Sequence, residues 1–104
     1  MTTVAEIIKN MEGKFNPAAA SGLALTFQFN IEDDSNFYAV IKDGTCNVAE
    51  GDAEDPNVTV SMDSETLNGG ITGETDGMQA FMGGKLRAEG DMMLALKLGE
   101  LFPV

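Results

Sequence analysis

Carboxylates are the only abundant side chains in this sequence that could do chemistry. Seventeen acidic residues and six basic ones among 104 give a formal net charge of −11. The sequence contains no histidine and only one cysteine. The commonest general base is therefore missing, together with the Ser-His and Cys-His pairs that activate nucleophiles. Acid–base work by paired carboxylates is the catalytic arrangement that the composition leaves open.

One acidic group, in the segment 50–55, has enough carboxylates to suggest a hard cation. It consists of Glu50, Asp52, Glu54 and Asp55. The spacing departs from the EF-hand pattern, which needs a glycine and a terminal glutamate at fixed offsets. Most other acids stand at turns or just before helices, where hydrogen bonding to the backbone accounts for them. We therefore predict a solvated loop and no metal site.

Two further candidates for chemistry are better explained structurally. The segment GGITGETDG, residues 69–77, is glycine-rich like a phosphate-binding loop, but it lacks the GK[ST] ending and does not directly follow a strand. We predict a hinge with two helix ends and no nucleotide cofactor. Cys46 lies in a predicted strand beside Val48, which favours a buried small hydrophobe over a reactive thiol.

The charge and the apolar runs restrict the partners and the location. A strongly acidic surface repels phosphate backbones, so we expect no nucleic-acid partner. No apolar run approaches the roughly 20 residues of a membrane span, so we expect no stable membrane insertion. Glu6 and Lys9 interrupt what would be the core of a signal peptide, and the ending LFPV is no peroxisomal SKL-type address. The expected location is cytoplasmic.

Five segments have the alternation or the bounding turns of β-strands. The clearest is 23–31, where large apolar residues occupy every second position. Segments 37–42 and 45–50 flank Asp43-Gly44, a hairpin turn signal, and 58–62 and 85–90 supply the fourth and fifth strands. The inward sheet face is predicted to include Leu25, Phe27, Phe29, Val58, Val60 and Met62.

Helix signals stand before, between and after these strands. Thr3 and Glu6 have capping-box spacing at the start of a first helix that Gly13 can end, and a short helical turn is predicted over 17–22. The apolar positions of the first helix are Val4, Ile7, Ile8 and Met11. We read the whole of residues 1–104 as one α+β domain in which helices cover one face of a mixed sheet.

Three aspartates cap the later helices in this prediction. Asp63 begins a helix through Leu67 that ends at Gly69-Gly70, and Asp76 begins a second that ends at Gly83-Gly84. The apolar side of that second helix carries Met78, Phe81 and Met82. Asp91 begins a final helix over 92–102, which is apolar enough to be mostly buried.

Six internal methionines are concentrated in and around these helices. They are Met11, Met62, Met78, Met82, Met92 and Met93. Each alone is explained as core filler, but methionine also lines surfaces that must fit variable partners. The cluster supplies more adaptable apolar surface than one sheet face needs. A cavity with a movable wall accounts for the excess.

The same region resembles a known family. The strand 58–62, the helix with Met78, Gln79 and Phe81, the Gly84-Lys85-Leu86 step and the Gly90-Asp91 entry into a leucine-rich helix are similar to the signature of the sterol carrier protein type 2 family, the nonspecific lipid-transfer domains. The resemblance extends over essentially the whole chain. It implies a five-stranded sheet with helices on one face and an apolar tunnel between them, and it makes 85–90 an edge strand.

The resemblance also implies the function. We expect noncatalytic binding and transfer of a lipid or fatty acyl ligand, with no cofactor. The alternatives are an accessory module that docks on an enzyme partner and presents an acyl substrate, and an enzyme that acts on a bound acyl chain through carboxylates. Gln79 is either a polar contact for the lipid headgroup or a cap of its own helix. The expected ligand-binding residues are Ile7, Ile8, Phe27, Phe29, Val58, Val60, Met78, Gln79, Phe81, Met82, Met93, Leu96 and Phe102.

Overall fold

A computed structural model describes residues 3–103 as helices packed on a five-stranded sheet. Met1, Thr2 and Val104 lie outside the described residues, so the prediction about the C-terminal address falls partly outside them. A short 3₁₀ helix, Pro17–Ala20, follows the first α-helix and confirms the predicted turn. The other elements are α1 Val4–Lys14, β1 Ala24–Ile31, β2 Phe37–Lys42, β3 Thr45–Glu50, β4 Val58–Met62, α2 Ser64–Thr72, α3 Gly77–Met82, β5 Arg87–Gly90, α4 Met92–Leu96 and α5 Leu98–Leu101.

The sheet is mixed, as predicted, with strand order β3-β2-β1-β4-β5. β1 is antiparallel to β2 and parallel to β4, and β5 runs antiparallel to β4 at one edge. Asp43 and Gly44 join β2 to β3 with φ of 53° and 73°. Positive φ at both central residues is the geometry of a type I′ hairpin turn, which the Asp-Gly pair predicted.

The core lies between the sheet and the helices on its inner face. Phe27 pairs with Val58 and Phe29 with Val60 across the two central strands, and all four side chains are buried. The rings of Phe29 and Phe37 stack with centroids 4.7 Å apart. The predicted inward face is confirmed, with Leu25 half-buried near the start of β1. The helices, including the 3₁₀ helix, contribute Val4, Ile7, Met11, Ala20, Leu67, Ile71 and Leu101 to the core.

The predicted helix starts are confirmed by hydrogen bonds. The Thr3 hydroxyl accepts from the backbone N–H of Glu6, at 3.3 Å, and thereby satisfies a donor that has no partner inside the helix. Aspartates do the same for three later helices. The carboxylate of Asp63 accepts from the N–H of Thr66 at 2.8 Å. In the same way, Asp76 accepts from Met78 at 2.9 Å, and Asp91 accepts from Met93 at 3.0 Å.

Several predicted boundaries are wrong, and the reasons are visible. α2 continues through Gly69-Gly70 to Thr72 and ends at Gly73, whose φ of 88° is left-handed. Gly69 serves close packing, since a Cβ there would overlap the side chain of Thr75. α1 likewise passes Gly13 and ends at Lys14, and β5 begins at Arg87.

The final helix is divided rather than continuous. At Lys97 the chain tightens, because its backbone N–H donates to the carbonyl of Leu94, three residues earlier, at 3.0 Å. α5 then carries Leu101, which is fully buried. The prediction that this region is mostly buried is wrong for α4, where Met92, Met93 and Leu96 are exposed.

Candidate functional site

An apolar cavity of about 180 Å³ lies between the inner face of the sheet and the helices α2, α3 and α5. Phe29 and Met62 form its floor, on adjacent strands of the sheet. Further wall residues come from every helix around it. They are Met11 of α1, Thr66, Leu67, Gly70 and Ile71 of α2, Gly77 and Ala80 of α3, Leu98 and Gly99 of α5, and Thr75, Leu86 and Phe102 of the connecting segments.

No charged side chain lines this cavity among the described residues. Among residues 3–103, Thr66 and Thr75 are the only wall residues with polar side chains. An ion would therefore lose its hydration there without gaining a partner, whereas a hydrocarbon chain gains from the transfer. The wall can therefore hold an apolar ligand.

The wall formed by α3 is thin because the helix turns its small residues inward. Ala80 is buried and Gly77 lines the cavity, while Phe81 is 41% and Met82 79% exposed. The Ala80 carbonyl also accepts from the N–H groups of Lys85 and Leu86, at 2.9 and 3.2 Å, where the chain folds back toward β5. The orientation therefore leaves the large apolar side chains of α3 on its outer surface.

The outer faces of α3 and α4 carry all the exposed large apolar side chains of residues 3–103. Neither helix contains a charged residue. We call this surface the α3–α4 face, defined by Met78, Phe81, Met82, Met92, Met93 and Leu96. Exposed apolar side chains on two uncharged helices are candidates for an interaction site.

The structure separates the thirteen residues expected at the site. Phe29 and Phe102 line the cavity. Four lie in the closed core beneath it, namely Ile7, Phe27, Val58 and Val60, and Ile8 is half-buried against that core. Gln79 is exposed on α3. The other five belong to the α3–α4 face and are Met78, Phe81, Met82, Met93 and Leu96.

Sequence reasoning missed the contribution of α2. Leu67 and Ile71 are four residues apart, so they lie on one face of a helix and both reach the cavity. The spacing was present in the sequence, but ending the helix at Gly69-Gly70 separated the two residues. Gly70 itself lines the cavity and has no atom within 4 Å of an added Cβ.

The acidic loop has a structural partner in Gln28. This side chain alternates with the inward apolar residues of β1, yet it is only 4% exposed. Its amide Nε2 donates to the Asp52 carboxylate at 3.2 Å, and its Oε1 accepts from the backbone N–H of Ala53 at 2.7 Å. Asn36 also donates to Asp52, at 3.1 Å. These hydrogen bonds attach the loop to the sheet, and within residues 3–103 no group of three acidic or cysteine side chains is arranged to hold a metal.

Cys46 is half-buried on β3 and packs against the core with Val48. Burial, assisted by the negative charge of Glu12, raises the pKa of its thiol to about 11. The thiol is therefore protonated at neutral pH, and a protonated thiol is a poor nucleophile. This agrees with a small hydrophobic residue at that position.

No helix among residues 3–103 has the length and apolarity to span a bilayer.

The sequence of this chain is similar to those of known proteins. A family model described as the SCP-2 sterol transfer family matches residues 5–103. Hydroxysteroid dehydrogenase-like protein 2 of Xenopus tropicalis is 34% identical over 99 residues, which are 92% of this chain and 24% of that protein. The chain therefore spans about a quarter of this curated relative.

Solved structures share the fold. The palmitated SCP2L2 of Aedes aegypti, determined by solution NMR, aligns with a TM-score of 0.76 and 26% identity over 99% of this chain and 96% of that one. A double mutant of the sec-alkyl sulfatase PisA1 aligns with a TM-score of 0.87 over 99% of this chain but only 17% of its own, at 18% identity. That second likeness concerns the fold alone.

Proposed function

The chain belongs to the SCP-2 sterol transfer family, and we propose that it binds lipids without chemically changing them and passes them on. The observation that carries this proposal is the cavity of about 180 Å³ behind α3, whose wall is apolar apart from two threonines. Broad ligand choice follows, because burial of hydrocarbon needs no specific polar contact. A noncatalytic role agrees with the lack of titratable side chains in the described wall.

The cavity in this conformation accommodates only part of a long acyl chain. Ligand pockets commonly measure about 300–1,000 Å³, and an apolar cavity of about 150 Å³ holds benzene. The wall must therefore move outward for a whole chain to enter. α3, α4 and α5 are suited to this, because they are four to six residues long. In addition, α3 begins with Gly77 and is followed by Gly83 and Gly84.

The exposed methionines fit the same proposal. When α3 and α4 move, the α3–α4 face continues the apolar surface from the cavity mouth along the emerging chain. Met78, Phe81, Met82, Met93 and Leu96 then contact the ligand as movable parts of its site. Methionine suits such a wall because its side chain is flexible and polarizable.

The energies are sufficient for this mode of binding. Each buried methylene contributes about 0.8 kcal/mol, so a chain of about 16 carbons gives up to roughly 13 kcal/mol. Association costs about 4 kcal/mol or more. Micromolar binding needs about 8 kcal/mol net. The palmitated state of SCP2L2 of Aedes aegypti supports a fatty acyl ligand of this length.

Organic extraction of the purified protein, followed by mass spectrometry, tests this function. We expect acyl lipid that leaves the protein on extraction and that rebinds when titrated back. Protein free of lipid that also fails to take up dodecanoate or dodecanol at millimolar concentration would contradict the proposal.

The α3–α4 face supports a second function, docking on an enzyme that acts on acyl substrates. The dehydrogenase-like relative contains its matching region as a quarter of a longer chain, and the sulfatase structure contains a similarly folded region as 17% of its length. An enzyme surface would cover side chains that now face water, such as Met82 and Met93, which are 79% and 72% exposed.

Co-purification separates docking from simple lipid binding. A stoichiometric enzyme partner should be captured by the wild type and lost with Met82→Ser and Met93→Ser combined. It should be retained by the matched control Thr26→Ser, because Thr26 lies on β1 away from the α3–α4 face. Capture that survives the double substitution would place the docking surface elsewhere.

A further inference from the structure

We propose that the α3–α4 face docks reversibly on a bilayer surface whose headgroups carry no net charge, and that surfaces rich in anionic headgroups are disfavoured. This inference rests on the proposed lipid binding, because it names the partner from which the cavity takes its ligand. It differs from docking on an enzyme in the occupant of the face and in the charge that the occupant tolerates.

The composition of the α3–α4 face suits the headgroup region of a bilayer. Its six large apolar side chains are exposed, and neither helix contains a charged residue. Burying them in the interface removes apolar surface from water, which favours binding. Four of the six are methionines, whose flexible side chains fit fluid acyl chains. At six and five residues the helices are about 9 and 8 Å long, so they can lie in a bilayer but not cross its core of about 30 Å.

The net charge of the chain lies outside this face. From the N-cap of α3 to the C-cap of α4, residues 76–97 contain three acidic and three basic residues. The rest of the chain contains fourteen acidic and three basic residues and therefore carries the whole formal charge of −11. Anionic headgroups repel that remainder, whereas a surface without net charge does not. The protein should thus meet a neutral bilayer with residues 76–97 foremost.

The ionised groups at the border of the face are placed compatibly with headgroups. Lys97 directly follows α4, and Lys85 stands three residues after the end of α3. A lysine in such a place can keep its apolar stem on the face while its ammonium reaches the phosphate level. The acids at the other helix ends, Asp76 and Asp91, accept hydrogen bonds from backbone N–H groups of the helices that they cap. Their negative charge is therefore stabilised by the helix ends.

The face and the cavity are two sides of the same helices. Ala80 of α3 lines the cavity, while its neighbours Phe81 and Met82 are exposed on the outside. α4 leads directly into α5, whose Leu98 and Gly99 also line the cavity. A bilayer on this face is separated from the cavity by one helix, about 10 Å across. Outward movement of α3 therefore opens the cavity toward the bilayer.

The longest helix of residues 3–103, α1, offers no comparable surface. Its apolar residues Val4, Ile7 and Met11 are buried in the core. Its exposed residues include Ala5 and the charged Glu6, Lys9 and Glu12. This helix therefore provides the matched control positions for the α3–α4 face.

The experiment locates the contact with tryptophan as a probe, because the sequence contains none. Met82→Trp and Met93→Trp each place one indole on the α3–α4 face, and Ala5→Trp places one on the exposed side of α1. Each variant is mixed with vesicles of phosphatidylcholine brominated on its acyl chains, which quench indole on contact. We expect the fluorescence of Met82→Trp and Met93→Trp to fall about twofold or more and that of Ala5→Trp to stay unchanged.

Vesicle flotation measures the affinity and the effect of charge. Met82→Ser combined with Met93→Ser should lower partitioning onto phosphatidylcholine about tenfold or more, whereas the control Ala5→Ser should leave it unchanged. Vesicles containing phosphatidylserine should bind the wild type several-fold less than phosphatidylcholine at about 10 mM salt, where charges act over about 30 Å. The difference should vanish near 0.5 M salt, because screening then reduces that range to a few ångströms.

The other outcomes decide against the proposal. Equal quenching of Ala5→Trp, or tighter binding to phosphatidylserine than to phosphatidylcholine, overturns the assigned face or its charge preference. A wild-type dimer that the double serine substitution dissociates assigns the face to a second copy, and an enzyme captured through it assigns it to that enzyme. No flotation of a wild type that takes up dodecanoate overturns docking alone. Failure to take up dodecanoate contradicts the proposed function, and with it the exchange of ligand at the bilayer, whether or not vesicles bind.

Discussion

Filling the cavity from α2 should stabilise the protein and weaken ligand binding at the same time. Gly70 lines the cavity, and a Cβ added there meets no atom within 4 Å. The substitution Gly70→Leu places a side chain in that space and removes a glycine from a helix interior. Replacing the glycine contributes about 1 kcal/mol through helix propensity. The four added carbons contribute about 0.8 kcal/mol each where they are buried, or up to roughly 3 kcal/mol.

Partial exposure of the new side chain limits this gain. Gly70 is only half-buried, so we expect Gly70→Leu to raise the free energy of unfolding by about 1–3 kcal/mol. In a chain of this size each kcal/mol corresponds to a rise in Tm of about 4–8 °C.

The same side chain removes room for about three ligand methylenes. Dodecanoate affinity should therefore fall on the order of 10- to 100-fold. Thermal unfolding measures the first effect and calorimetric titration the second. Gly13→Leu is the matched control, because Gly13 is also helical and unobstructed but is exposed and away from the cavity. It should stabilise α1 by about 1 kcal/mol at most and leave ligand affinity unchanged.

The reasoning fails if Gly70→Leu binds dodecanoate as tightly as the wild type while remaining folded. The ligand would then occupy another site. A large loss of stability in Gly70→Leu would show that the space is not available to a side chain, which contradicts the packing of α2 described above.

Three further predictions concern packing, reactivity and pH. Gly69→Ala should lower the free energy of unfolding in urea by about 1–3 kcal/mol, because the new methyl group overlaps Thr75; an unchanged or higher urea midpoint would contradict this. Cys46 should react with a thiol-specific disulfide reagent at pH 8 far more slowly than a free cysteine, since burial raises its pKa to about 11, and a rate equal to that of the unfolded protein would refute its protection. Hydrogen bonds from Thr66 lower the carboxyl pKa of Asp63 in the folded protein below its value in the unfolded chain, which is near 4. The ionised carboxylate therefore contributes fully to stability above about pH 4. This contribution is lost as the pH falls through the pKa of the folded state. Asp63→Asn should therefore destabilise the protein more at pH 6 than at pH 2.5, and chemical denaturation showing an equal difference at the two pH values would argue against this linkage.

Local signals in the sequence predicted the strands because both of their determinants are local. Alternation of large apolar side chains fixes which face of β1 and β4 is buried, and Asp43-Gly44 has the residue types that positive φ favours. The four helix caps are equally local, since a threonine or aspartate oxygen reaches N–H groups only two or three residues ahead.

The orientation of the later helices is not a local property. In the sequence, Gly69 resembles the end of a helix. In the structure a glycine is needed there because Thr75, beyond the end of α2, packs against it. Met82 and Leu98 have similar apolar character, yet the fold exposes the first and brings the second to the cavity. Short helices can turn either face inward. In α3 the small residue Ala80 is the one that is buried at the cavity wall.

The most direct test of lipid binding in this cavity is methyl NMR during titration with dodecanoate. Leu67, Ile71 and Leu98 line the cavity from two helices and would report a ligand between them. We predict saturable shifts of these methyl groups and nuclear Overhauser contacts from them to the dodecanoate chain. Shifts confined to other surfaces, or none at millimolar dodecanoate, would contradict the account.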